Sequence, residues 1–446
     1  MFVLYAFVCA CVLSLLDLIY IKIFQLENYR IKNYLKKVFD FEIALGKKNK
    51  LNFTKRIKRL IIFDFFLNFL YFFLIFFLVN NIYLIISLVF FCFIFSEYLI
   101  VTTFLIAMPI ENAIKMNFVK KAKKKLKQTN CKKIAITGSF GKTSTKNILY
   151  QILKEEFDVC ASPQSYNTPM GICKTILENL KETDDFLIVE YGARRKGDIR
   201  FLAETFGVDF GIVTPIGNCH LETFGSLEKY ELCQNTKECV LFNGKSLATK
   251  NLFDKYPYKK YLVCSQNSFA YAKNIKHSAD GSKFDLIVNG KKIQCKSSLM
   301  GKANIDNIVV ATAMAYLLGE SLFSIQKAIE KLRPIPHRLE LIKSGFAYVI
   351  DDSYNSNLEG FKTALDVLKS FKGKKIVVSP GMIELGSMQA ETNFEAGEMV
   401  AKVADIFVIM NETNKKSLYD GAVSAGMEKE RIYFDIFSVN GYFDFK

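Results

Sequence analysis

Apolar and polar positions divide this 446-residue chain into two unlike parts. Residues 2–21, 60–79 and 82–108 are nearly unbroken apolar runs, the second rich in Phe. Each exceeds the roughly 18 residues that argue for a membrane-crossing helix. From about residue 131 the pattern changes to short apolar runs alternating with stretches of helical periodicity. This predicts strands at Lys133–Thr137, Phe186–Glu190 and Phe210–Thr214, with helices around 142–155, 168–180 and 197–206. Residues 260–300 read as shorter strands with turn signals at Asp280-Gly281 and Asn289-Gly290, and 304–318 and 323–332 as helices. Arg333-Pro334-Ile335-Pro336 breaks the pattern. A second alternating unit follows: strand Ala347–Asp351, helix 359–370, strand Lys375–Ser379, helix 392–404, strand Ile406–Ile409. The fold class is α/β with a mostly parallel sheet, behind N-terminal transmembrane helices. Its expected regions are 1–115, 131–333 and 334–446.

Charge refines this picture. Of the net +16, residues 1–133 account for +14, with 21 Lys+Arg against 7 Asp+Glu. The near-neutral remainder argues against a nucleic-acid-binding body. The basic residues fall between Lys22 and Arg59 and between Lys115 and Lys133, both flanking apolar runs. The positive-inside rule places both in the cytoplasm, joined by two crossings. The expectation is a multi-pass protein of the inner (cytoplasmic) membrane with everything after residue 115 in the cytoplasm. The first run lacks a basic leader and is read as a retained anchor. The polybasic segments either signal topology or also attract anionic lipid. Asp64 lies near the end of a span and is expected to reach the interface, while Glu97 is left open. The 11 cysteines form no Cys-x-x-Cys pair, so reduced buried thiols are the default.

Thr137-Gly138-Ser139-Phe140-Gly141-Lys142-Thr143-Ser144 follows a buried strand and opens a helix. Strand, glycine turn, Lys-Thr and helix wrap backbone N–H groups around a polyphosphate, and the helix N-terminus adds partial positive charge. Lys142 would meet the β/γ-phosphates and Thr143 would sit on Mg²⁺. The spacing departs from the general pattern, because a first glycine would fall at Ile136 and the chain offers Gly138. Glu190 ends the neighbouring strand, where open parallel sheets place their ligands. His220, one of three histidines, sits in a loop-like stretch and is read as functional.

The ordered set TGSFGKTS, VEYGARRKGDI, HLETFGS, GKANIDN, PHRLE, IDDSYNSN and GMIELG resembles the Mur ligases over about residues 131–425. It is nearest the branch that adds D-alanyl-D-alanine to UDP-N-acetylmuramoyl-tripeptide. The resemblance implies an ATP-dependent ligase that forms ADP and phosphate through an acyl phosphate. It also implies a central ATPase domain and a Rossmann-like C-terminal domain. On it, Gly138, Ser139, Gly141, Lys142, Thr143 and Ser144 form the phosphate loop; Thr143 and Glu190 hold one Mg²⁺ and His220 a second. Asn304 and Asn307 match nucleotide-binding asparagines, with Asn307 on the adenine edge. Arg338 and Asp352 hold ribose and phosphates, with Tyr354 and Asn355 nearby.

Two departures leave alternatives open. The family's carbamylated lysine falls on Gln234, with Lys237 the nearest candidate for that catalytic position. The family's uridine-diphosphate-binding front domain has no visible counterpart; the apolar runs and the basic loop 22–59 stand there instead. That loop either takes over pyrophosphate binding, or the acceptor is a lipid-linked or polymeric carboxylate. A tethered ATP-binding scaffold without catalysis is a third reading, against which the retained metal ligands weigh.

Overall fold

The computed structural model describes residues 1–27, 29–39, 51–163, 165–193, 197–216, 232–278, 281–345, 347–354, 357–383 and 385–435. The expected site residues His220 and Asn355, and part of the basic loop, lie outside them. The chain forms two compact units, Met1–Lys120 and Lys121–Lys446.

The first unit is helical: α1 (Phe2–Leu26), α2 (Ile31–Phe39), α3 (Lys55–Leu78), α4 (Ile82–Ile94) and α5 (Ser96–Gln128). The buried positions of α1 are 6, 10, 13, 14, 17, 21 and 24, and those of α3 are 57, 60, 64, 68 and 72. Both series step mainly by three or four residues, so each helix presents one stripe to its neighbours. Ala6 and Ala10 let the backbones approach closely beside Phe72. A second cluster joins Ile21 and Phe24 to Tyr34, Ile57, Leu60, Ile100 and Phe104. The outward side chains, such as Phe7, Leu15, Phe66, Leu70 and Phe77, are apolar as well. Among the described residues, α1, α3 and α5 are long and apolar enough to cross a membrane.

Two expectations need correction here. The run 82–108 is not one helix: the backbone leaves helical geometry at Phe95 (φ −104°, ψ 24°), so α4 has 13 residues and the third long apolar helix is α5. Thirteen residues rise only about 20 Å, short of a hydrocarbon core. No Gly or Pro marks the break. Asp64 does not reach outward either; it is fully buried on the inner stripe of α3.

The second unit centres on a nine-stranded sheet in the order β2-β3-β1-β4-β5-β6-β7-β8-β9. Its strands are β1 (Lys132–Thr137), β2 (Val159–Ala161), β3 (Phe186–Glu190), β4 (Val208–Val213), β5 (Thr236–Asn243), β6 (Lys260–Val263), β7 (Ala270–Ser278), β8 (Gly281–Val288) and β9 (Lys291–Ser297). Pairing is parallel from β2 through β7 and antiparallel from β7 to β9. The turn Asn289-Gly290 has positive φ at both residues (47° and 76°), as a tight two-residue hairpin requires. Helices α6 (Lys142–Leu153), α10 (Lys302–Leu317) and α11 (Leu322–Glu330) close one apolar core with the strands, while α7 (Pro169–Glu178), α8 (Asp198–Phe206) and α9 (Leu247–Lys255) complete the crossovers.

After Arg333 the chain makes a hairpin of β10 (Glu340–Ser344) and β11 (Ala347–Asp351). A parallel sheet β12 (Ile376–Ser379), β13 (Ile406–Ile409), β14 (Ile432–Tyr433) follows, with α12 (Leu358–Ser370), α13 (Gln389–Ala401) and α14 (Glu412–Ser424). Strand Ala347–Asp351 therefore exists as expected but pairs antiparallel with its predecessor, outside the parallel sheet. Gly345 (φ 57°) makes the short turn that brings them together. The C-terminal part is Rossmann-like in its parallel strands and flanking helices.

Candidate active site

Strand β1 lies between β3 and β4, so the chain leaves its carboxyl end at the place where the strand order switches direction. Open α/β sheets bind ligands in such crevices. Ile134, Ala135 and Ile136 are completely buried, which fixes where the loop begins. Gly138 has φ 141°, and an added Cβ would stand 1.9 Å from Thr214 Oγ1 and 2.8 Å from Thr214 O. Glycine is thus demanded by the close approach to the segment leaving β4. The same segment is tied down by Ser139 N–H donating to Pro215 O (3.0 Å) and Thr214 N–H to Thr137 O (2.8 Å). Gly141 (φ 80°) turns the chain into α6, whose N–H groups open toward the crevice.

Lys142 Nζ donates to Gly138 O (2.7 Å) and Ser139 O (3.0 Å), curling over the loop. Burial lowers its pKa from the usual lysine range; Glu190 opposes that fall and Arg338 adds to it. Thr143 Oγ1 donates to Glu190 Oε2 at 3.0 Å. The pairing of Ile136 with Glu190 across β1 and β3 puts this carboxylate level with the loop. An octahedral shell with bonds of about 2.1 Å sets adjacent oxygens about 3 Å apart, so these two oxygens could occupy neighbouring corners around Mg²⁺. The donor set, a hydroxyl and a carboxylate beside an anion cradle, fits a magnesium–nucleotide.

Sequence reasoning missed Lys146. One turn past Lys142, it is fully buried, 3.0 Å from Glu190 Oε1, and donates to Ser162 O at 2.6 Å. Burial lowers its pKa while Glu190 raises it. The one signal available was its spacing, three and seven residues before the buried Leu149 and Leu153, a helix face where lysine must have a partner. Glu190 is therefore shared between an ammonium on one side and the Thr143 hydroxyl on the other.

The asparagines take structural positions around the loop. Asn307 Oδ1 accepts from Thr145 Oγ1 at 3.2 Å and would lie 2.9 Å from a Cβ at Gly141. Asn304 Nδ2 donates to Met300 O at 2.9 Å. Both lie in the first turns of α10; Asn307 braces α6 at the loop turn, and Asn304 ties the start of its own helix to the preceding segment. Across the crevice, Arg338 lies over the Tyr354 ring at 4.4 Å, and Tyr354 OH is 2.8 Å from Ser165 Oγ. Arg338 sits between two residues of positive φ, His337 (63°) and Leu339 (50°), and Asp352 Oδ1 accepts from Leu339 N–H at 3.0 Å. Strained backbone of this kind is held by its surroundings and gathers at functional sites. Gln151, on α6, clasps the connecting segment through Arg333 N–H (2.9 Å) and Arg333 O (3.4 Å).

Lys237 is not brought to this site. It begins β5, is exposed, and lies 3.6 Å from Asp209 Oδ1. Asp209 is at the amino end of β4, about 13 Å along the strand from the loop edge. Gln234 also precedes β5 and is exposed. The expected catalytic role of Lys237 is corrected accordingly: a residue at the start of a parallel strand faces the wrong edge of the sheet.

Residues 136–315 match the Mur ligase middle domain, and residues 337–437 match the Mur ligase glutamate ligase domain. The chain belongs to the Mur ligase family. It is 31% identical over 271 residues to the UDP-N-acetylmuramoyl-tripeptide--D-alanyl-D-alanine ligase of Buchnera aphidicola, covering 58% of each chain. To the enzyme of that name from Bacillus subtilis it is 28% identical over 291 residues, covering 63% of this chain and 62% of the other. A crystal structure of MurF ligase from Thermotoga maritima in complex with ADP is similar at a TM-score of 0.64 and 25% identity, over 71% of this chain and 73% of that one. The chain thus spans about six-tenths of the length of these two curated relatives.

Proposed function

We propose that this Mur ligase joins D-alanyl-D-alanine to UDP-N-acetylmuramoyl-tripeptide with ATP, releasing ADP and phosphate. The observation that carries the reading is the loop with Lys142, Thr143 and Glu190 on one wall of a crevice and Arg338 with Tyr354 on the other. A carboxylate does not condense with an amine at neutral pH, because its oxygen is a poor leaving group. Its oxygen attacks the γ-phosphorus of ATP, and ADP departs with the bonding electrons. The amine nitrogen then attacks the acyl carbon, phosphate leaves with the C–O electrons, and the nitrogen loses its proton. Both steps depend on positioning and on offsetting charge. The loop N–H groups and Lys142 grip the β/γ-phosphates, Ser139 and Ser144 completing the loop, and Arg338 approaches from the facing domain. Thr143 and Glu190 would hold Mg²⁺, which supplies charge neutralisation at the moving phosphoryl group. Asn304 and Asn307 support the nucleotide side, Asp352 and Tyr354 the facing side; His220 and Asn355 keep their expected metal and nucleotide roles. A hinge near Pro334–Pro336 would let the domains shut water away from the acyl phosphate.

The long apolar helices support a multi-pass position in the inner membrane with the ligase domains in the cytoplasm, and the polybasic segments beside them suit anionic lipid. They also favour a second reading of the acceptor, a lipid-linked or polymeric carboxylate, since they would hold the enzyme at the membrane surface. Phosphate release by the full chain in detergent tests both. Release that requires UDP-N-acetylmuramoyl-tripeptide and D-alanyl-D-alanine together, and is abolished by Lys142→Ala, is expected. Release only with a lipid-linked acceptor selects the second reading; no release with any acceptor refutes ligation.

A further inference from the structure

The inner stripes of α1 and α3 carry a polar cluster that ligation does not use. Asp17 and Asp64 are both completely buried by the protein itself, and Asn68 between them is 1% exposed. Asn68 Nδ2 has three acceptors at hydrogen-bond distance: Ser14 Oγ (3.0 Å), Asp17 Oδ2 (3.1 Å) and Asp64 Oδ2 (3.1 Å). Thr103 Oγ1, from α5, donates to Asp64 Oδ1 at 3.2 Å. The Ser14 hydroxyl also reaches Asp64, and the two carboxyls lie within hydrogen-bond reach of each other; an amide nitrogen has only two hydrogens, so donors still fall short of acceptors. Two acceptors in the cluster have no hydrogen-bond partner at all, Asp17 Oδ1 and Asn68 Oδ1.

Positive charge is also missing. The ion pairs of this unit use Glu27 and Glu111, and among the described residues no lysine or arginine pairs with Asp17 or Asp64. The other titratable groups near enough to act on the pair are Glu97 of α5, Tyr20 of α1 and Tyr34 of α2, whose hydroxyl donates to Glu97 O at 2.8 Å. Cys9 of α1 and Cys92 of α4 lie in the neighbouring apolar cluster. All of these are acids. Two buried carboxylates without a cation do not both stay ionised; such groups take up a proton or bind an ion.

We propose that the helical unit binds a single proton at Asp17, held against Asn68, with Asp64 as the ionised partner. A carboxylic acid and a primary amide pair through two bonds, N–H···O and O–H···O. The first leg, Asn68 Nδ2 to Asp17 Oδ2, is in place, and the atoms of the second are the two acceptors that lack a partner. One proton on Asp17 Oδ1 supplies the missing donor and cuts the buried charge from two to one. Asp64 keeps its bonds from Asn68, Thr103 and the Ser14 hydroxyl and remains the anion.

Infrared titration of the full chain in detergent tests this. At pH 7 a chain carrying Glu320→Gln, which removes another carboxyl that burial pushes up to about 7, shows the carbonyl band of a protonated carboxylic acid; the band disappears on alkaline titration and is missing once Asp17→Asn is added. The melting temperature of the Glu320→Gln chain falls as that band is lost, while the chain that also carries Asp17→Asn, with its own N–H donor, shows no such fall. Replacing sodium by choline at constant ionic strength changes neither. Absence of the band in the wild type overturns the proposal, and that reading needs no variant to fold. Persistence of the band in a folded chain carrying both Glu320→Gln and Asp17→Asn moves the proton elsewhere and overturns it too. Stabilisation by sodium over choline that Asp17→Asn removes assigns the site to a metal cation instead.

Discussion

Glu190→Gln keeps the shape of the side chain and removes its charge, and two different partners feel the change. Lys146, fully buried, loses the carboxylate 3.0 Å away that offsets it. Removing one partner of a buried ion pair destabilises by about 3–5 kcal/mol. Lys146 already has a lowered pKa through burial, so it can shed its proton, and the lower end of that range, about 3 kcal/mol, is expected. At about 2–4 °C per kcal/mol the melting temperature falls by roughly 6–12 °C. The chain has no Trp, so calorimetry of the detergent-solubilised protein is the suitable readout. Thr143 loses its charged acceptor as well, and with it one ligand of the proposed metal. The double variant Lys146→Met, Glu190→Gln separates the two effects. Replacing a buried pair with apolar or neutral groups is often neutral for stability, so most of the melting temperature returns. Affinity for magnesium–ATP, measured with a fluorescent ATP analogue, stays about tenfold or more below wild type, the loss of roughly 1.4 kcal/mol. A double variant that regains both stability and phosphate release would refute the reasoning, since Glu190 would then serve only to offset Lys146.

Gly138→Ala drives a methyl group against Thr214 Oγ1 and Thr214 O, so phosphate release drops at least about tenfold; adding Thr214→Ala removes only the first contact and restores activity in part. Burial pushes the Glu320 carboxyl from an ordinary 4.5 up to about 7, with Glu155 and Glu156 reinforcing the rise and a bond from Ser324 opposing it. The folded state therefore holds that proton more tightly: its contribution is complete below about pH 4.5 and is lost as pH rises through about 7. A tenfold change in proton affinity is worth about 1.4 kcal/mol, and screening by nearby water reduces the total. Glu320→Gln accordingly stabilises the protein by about 2 kcal/mol at about pH 8 and by nothing measurable at about pH 4.5, as thermal unfolding at the two pH values would show. Lys237→Ala leaves phosphate release within about twofold, because a surface ion pair at the far edge of the sheet contributes little.

The phosphate loop is legible because its parts are local. A buried strand, a glycine that nothing larger can replace and a helix start stand consecutively in the chain, and Phe186–Glu190 reads as a buried strand from its own five residues. The same holds for Ile406–Ile409. What stays hidden depends on contacts between distant residues. Lys146 looks like an ordinary helical lysine until Glu190 and Ser162 are placed beside it. The distance of Asp64 from the span end is visible and suggests water, while its stripe with Asn68 and Asp17 emerges only once α1 packs on α3. Counting along the chain selects Lys237, and counting does not reveal that it opens a parallel strand, at the edge away from the nucleotide. The break at Phe95 has no Gly or Pro to announce it; its one local mark is Ser96-Glu97, a hydroxyl and an acid at the start of α5 inside an otherwise apolar run. Ala347–Asp351 is a strand either way; its partner is decided by the short turn at Gly345.

The pose of Lys142 has a consequence for selectivity among anions. Its ammonium already satisfies itself on Gly138 O and Ser139 O, so an incoming ligand must offer more than two carbonyl dipoles to draw it away. A chain of phosphates does, through full negative charge and charge-assisted bonds; chloride, bicarbonate or a lone carboxylate offers far less. The same bonds keep the side chain folded near its working position, so little rotational freedom remains to be surrendered when the right guest arrives. The resting loop thus acts as a threshold that only a densely charged visitor crosses.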